Sequence, residues 1–82
     1  MNVIILGPLW RNEEIVNVLK RKGVNVVLSE SYELLKEGHE FTHLISSGFN
    51  LKIPELILNQ FEKRKRINLH ASYLPFGKGI GT

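Results

Sequence analysis

Four short apolar runs, separated by three connections each long enough for a helix or a helical turn, constrain this chain more than any other feature. The runs are residues 2–6 (NVIIL), 24–28 (VNVVL), 42–46 (THLIS) and 66–70 (RINLH). Short β-branched runs closed by turn residues such as Gly7-Pro8 read as buried strands. Between the first two, residues 12–22 read as a helix. Asn12 is placed to cap it, Glu13 and Glu14 suit its positive end, and Lys20, Arg21 and Lys22 suit its last turn before the stop at Gly23. Its apolar stripe is Ile15, Val16, Val18 and Leu19. A shorter helical stretch begins at Ser31 and closes at Gly38. A third helix is expected from Pro54 to about Lys65, burying Ile57, Leu58 and Phe61. The order β-α-β-α-β-α-β implies a parallel sheet with right-handed crossovers. The expected fold is therefore α/β: a Rossmann-like open parallel sheet of about four strands with flanking helices.

Such sheets carry their sites beyond the carboxyl ends of the strands. Three segments should meet there: Gly7–Asn12, Ser46–Lys52 and His70–Thr82. The tail from Tyr73 is Pro/Gly-rich loop. The first βα turn, G-P-L-W-R-N, has neither the G-x-G-x-x-G of dinucleotide binding nor the G-x-x-x-x-G-K of a P-loop. Pro8 and Trp10 would also obstruct phosphate at the backbone, which argues against NAD and ATP. Trp10 and Arg11 either face a ligand at the sheet edge or pack over the first helix.

The 82 residues make one domain at most, and a chain of this size has limited surface to bury. With 43% apolar and 23% charged residues the composition is globular. There is no cysteine, which excludes disulfides, thiolate metal sites and a cysteine nucleophile. No run is long enough to span a membrane or serve as a signal peptide, so the expectation is a cytoplasmic chain with no membrane partner. The net charge of +3 is unevenly spread. Residues 1–60 sum to −1, and residues 61–82 to +4 through Lys63, Arg64, Lys65, Arg66 and Lys78. This end either attracts an anionic partner such as RNA or is a solvated surface. His39 and His43 are four apart but straddle a loop-to-strand transition, with no carboxylate to complete a set, so no metal is assigned. His39 reads as a solvated loop residue.

Asn68 and His70 are the candidate catalytic pair. They lie two apart in a strand and so project from one face. An amide N–H can stabilise a developing oxyanion while an imidazole moves a proton, a pairing suited to acyl transfer. The alternative is a pair satisfied by local backbone groups.

The string Ile67-Asn68-Leu69-His70-Ala71-Ser72-Tyr73-Leu74-Pro75, followed by Gly77-Lys78-Gly79, resembles the signature of the folate-dependent formyltransferases. These include methionyl-tRNA formyltransferase, glycinamide ribonucleotide transformylase and the sugar N-formyltransferases. The stretch THLISSGFNLKIP (42–54), with its Gly48-Phe49 pair, and the NVIILG strand resemble the family's upstream parts. The resemblance implies 10-formyltetrahydrofolate as formyl donor and an amine acceptor, with tRNA a partner if the chain follows the methionyl-tRNA branch. It implies that Asn68 holds the formyl oxygen and that His70 assists proton transfer. Ser72, Gly48, Phe49, Gly77 and Gly79 would shape the donor or acceptor site.

The family completes its site with an Asp downstream of the motif, and its domain continues with further strands. Residues 1–82 are thus expected to correspond to the N-terminal part of that domain and to be inactive alone. The strand ending at His70 would lie at an open edge, through which the chain could self-associate. Two other readings stand beside the enzyme: a non-catalytic binding or assembly module with the same fold, and a small nucleic-acid binder using the basic end.

Overall fold

A computed structural model describes residues 1–69. Its core is a four-stranded sheet, all parallel, in the order β2-β1-β3-β4. The strands are β1 (Asn2–Leu6), β2 (Asn25–Ser29), β3 (His43–Ser47) and β4 (Arg66–Leu69). Two α-helices, α1 (Leu9–Arg21) and α2 (Glu55–Leu58), and two 3-10 turns, Glu33–Leu35 and Lys63–Lys65, make the connections. This is the small Rossmann-like α/β sheet that the alternation of apolar runs implies. β1 is central, with Val3, Ile4, Ile5 and Leu6 all buried, which is why it is a continuous apolar run rather than an alternating one.

The register assigns the two faces. Ile4 pairs with Leu44, Leu6 with Ser46, Leu44 with Arg66 and Ser46 with Asn68. Ile4, Leu6 and Leu44 form the main core with Leu35 from the first 3-10 turn and with Ile57 and Phe61 from the α2 region. On the opposite face Arg11 of α1 reaches Ser47, so α1 packs on the other side of the sheet from α2. The helix ends in a Schellman arrangement. Gly23, at φ 81°, donates to Lys20 O, and Val24 donates to Leu19 O.

Three expectations about the elements need correction. α1 begins at Leu9, not at Asn12, and neither Glu13 nor Glu14 lies in its first turn. Asn12 sits inside the helix and is fully buried; it holds a different partner from the one a cap would hold. The stretch from Ser31 forms only a single 3-10 turn, since so short a segment cannot offset the cost of helix nucleation. The helix expected up to Lys65 stops at Leu58. A helix running to Lys65 would leave no residue to turn the chain back into β4, which starts at Arg66. Extended backbone at Glu62 supplies that turn instead. The expected apolar face survives the shortening: Ile57 and Phe61 are buried and Leu58 packs against them.

Candidate functional site

The strand order reverses direction between β1 and β3, because β1 leads on to β2 at one side while β3 lies at the other. A sheet of this order opens a crevice at that point, beyond the carboxyl ends of the two strands. The first two of the three segments expected there do meet. Asn12 Nδ2 donates to Pro8 O at 2.8 Å and to Ser47 O at 3.1 Å, tying the β1–α1 turn to the end of β3. Arg11 Nε donates to Ser47 Oγ at 3.3 Å. Gly7 takes φ 151°, and a Cβ there would stand 1.9 Å from Ser47 O. Gly48 takes φ 75°, and a Cβ there would stand 2.4 Å from Arg11 Cδ. Both loops therefore need glycine to approach this closely.

Two hollows flank the junction. The first, about 490 Å³, lies over the switch point and is lined by Gly7, Pro8, Trp10, Glu30 and the Gly48–Leu51 segment. The second, about 390 Å³, lies on the β3–β4 face. Its floor is Leu44, Ser46, Arg66, Ile67 and Asn68; its walls are Phe49, Leu51, Lys52 and Ile53 with Glu55 and Leu58 of α2. Phe49 and Leu51 belong to both. Phe49 is held edge-on against Tyr32, ring centroids 6.2 Å apart, so the wall between the hollows is fixed.

The candidate residues distribute as follows. Gly48 and Phe49 line the hollows. Asn68 lies opposite Ser46 in the register, beside the second hollow. His70, Ser72, Gly77 and Gly79 lie outside the described residues. β4 lies at the edge of the described sheet, as expected of the strand leading to His70, and is not buried on both sides as its apolar run implied. It is the sheet's outer strand, with Ile67 47% and Leu69 39% exposed. Asn68 is accordingly solvent-accessible. Trp10 does not cap the helix: it is 78% exposed at the rim of the first hollow. His39 is not a free loop side chain. Its ring stacks on Phe61 at 5.5 Å, accepts the Phe41 N–H at Nδ1 and bonds Gln60 Oε1. The basic run is partly neutralised within itself, Arg64 and Lys65 both pairing with Glu62 at 3.2 and 3.5 Å.

The residue that sequence reasoning missed is Asn12, read as a cap and found as the buried link across the crevice. Its spacing from Gly7-Pro8 is a local signal, but its second partner lies 35 residues away. No group of three or more His, Asp or Glu side chains able to hold a metal occurs among the described residues. No helix among them is long and apolar enough to cross a membrane. No protein-family model, curated protein or solved structure matches the chain.

Proposed function

We propose that the chain is the N-terminal, motif-bearing part of a cytoplasmic formyltransferase that moves a formyl group from 10-formyltetrahydrofolate to an amine, such as methionyl-tRNA or an amino sugar. The observation that carries this reading is the string from Ile67 to Gly79, in which Asn68, His70, Ser72 and the Gly77-Lys78-Gly79 loop keep the family's residue types and spacing. The surroundings of Asn68 support it. The hollow beside Asn68 is within the range of about 300–1,000 Å³ usual for small-molecule sites. Phe49, Leu51, Ile53 and Leu58 in its walls suit a flat heteroaromatic head, and its polar groups are Ser46, Lys52, Glu55, Arg66 and Asn68. In this reading the Asn68 amide donates to the formyl oxygen, and the imidazole of His70 receives or returns the proton of the attacking amine. Lys52 and Arg66 are the cations available to the donor's carboxylates.

The family's Asp does not occur among the 82 residues, which contain no Asp at all. The expectation is thus donor binding without turnover. Equilibrium titration with 10-formyltetrahydrofolate should show saturable binding that weakens by about threefold to tenfold in Asn68→Ala, the loss of one hydrogen bond. Absence of binding, or binding indifferent to Asn68, would remove the reading. Formyl transfer by this chain that disappears in His70→Ala would keep the family and overturn the expected inactivity.

A further inference from the structure

We propose that the hollow over the switch point is a binding site for a small organic cation: an amine carried on an apolar or aromatic body, held by Trp10, Phe49 and Glu30. The place is the crevice where sheets of this order bind ligands. The lining selects the class. Trp10 and Glu30 share the rim, and among the described residues neither side chain makes a hydrogen bond, ion pair or ring contact. A large indole kept 78% exposed and an unengaged carboxylate lining the same hollow are complementary to one ligand chemistry. The carboxylate attracts an ammonium group, and the indole face is the best aromatic surface for a cation. Phe49, fixed by Tyr32, gives the body an apolar wall.

An anion is disfavoured at the same place. Glu30 is the only charged residue among those described in the lining. Pro8 supplies no N–H at the start of α1. Arg11, the cation next to Gly48, is directed at Ser47 Oγ, and Lys52 lines the neighbouring hollow instead. The inference rests on this lining and not on the formyl-transfer reading. The two hollows share Phe49 and Leu51, so a cation bound here lies next to the proposed donor site, where an acceptor amine would be needed.

Trp10 is the only tryptophan, so its fluorescence reports on the hollow directly. The full chain, without folate, is titrated with benzylamine, benzyl alcohol and benzoate. Benzylamine should bind about 3- to 10-fold tighter than the alcohol, the size of an exposed ion pair combined with a cation–π contact, with benzoate weakest. Glu30→Gln removes the ion pair and should cut the preference for benzylamine by about two- to fivefold, leaving the part due to the Trp10 cation–π contact. Trp10→Leu, followed through the Gly7 and Gly48 amide resonances, should weaken both. Equal affinities for the three probes, a preference undiminished in Glu30→Gln, or saturation that leaves the Gly7 and Gly48 amides unshifted overturns the proposal, as does no saturable change at all. Because folate is absent, failure here leaves the formyl-transfer reading standing. Failure of folate binding equally leaves this one standing.

Discussion

At the scale of single residues, the crevice depends on one buried amide. Asn12 donates to two carbonyl oxygens, one from each loop: Pro8 O, which also accepts the Arg11 N–H, and Ser47 O. Both N–H groups of Nδ2 are used, and no donor among the described residues reaches Oδ1. Asn12→Ala should lower unfolding stability by about 1–3 kcal/mol, since it removes one buried and one partly buried hydrogen bond that tie the two loops. Asn12→Asp should cost more, because a carboxylate would then face two carbonyl oxygens in a buried site. Asn17→Ala, on the exposed face of the same helix, should stay within about 0.5 kcal/mol. Urea unfolding of the three variants measures this, and an Asn12→Ala midpoint equal to the parent's would refute the link. The glycine at position 7 was legible as a turn, and Asn12 as a polar residue near a helix start. What was not legible is that the two share a partner. That is a property of strand order, which brings Ser47 alongside β1, and no local spacing encodes it.

At the scale of elements, β1 was readable because burial on both faces leaves an uninterrupted apolar run, and the more exposed β2 and β4 were readable only as short apolar runs bounded by turns. The helices were readable by face more than by length. Ile57 and Phe61 point inward as the i, i+4 pattern implies, although the residues between them leave the helix after Leu58. Phe61→Ala should cost about 3–5 kcal/mol, whereas Leu56→Ala, at a side chain 83% exposed, should change stability by less than about 0.5 kcal/mol. The same melting experiment reads both, and comparable losses would mean that the face of α2 is wrongly assigned. His39 tests the loop that braces this element. His39→Phe preserves a ring to stack on Phe61 but removes the acceptor for the Phe41 N–H; His39→Ala removes both. The alanine variant should be the less stable by about 0.5–1.5 kcal/mol, the contribution of an aromatic pair. Equal stabilities would show the stack to be idle. Nothing in the sequence marked His39 as structural, since a histidine in a polar loop ordinarily faces solvent.

At the scale of the whole molecule, the sheet divides into a protected centre and two described edges. β1 and β3 are bonded on both sides, while β2 and β4 are each bonded to one described neighbour. The switch-point hollow is lined by segments that follow β1, β2 and β3, and the Asn68 hollow rests on β3 and an outer strand. Native-state amide exchange should separate them. The amides of Val3–Leu6 and Leu44–Ser47 should open only with global unfolding, and the inward-facing amides of β2 and β4 at lower free energy. Identical opening energies throughout would mean that a domain this small unfolds as one unit. The same measurement distinguishes local from global effects of a ligand. A ligand that merely favours the folded state raises the protection of every globally opening amide by a common amount set by its concentration and affinity. If 10-formyltetrahydrofolate sits against Asn68, it should additionally slow exchange at Ile67–Leu69, whose opening would release it, so that the gap between β4 and the central strands narrows. A gap that stays constant as the ligand is added would place the ligand elsewhere on the molecule.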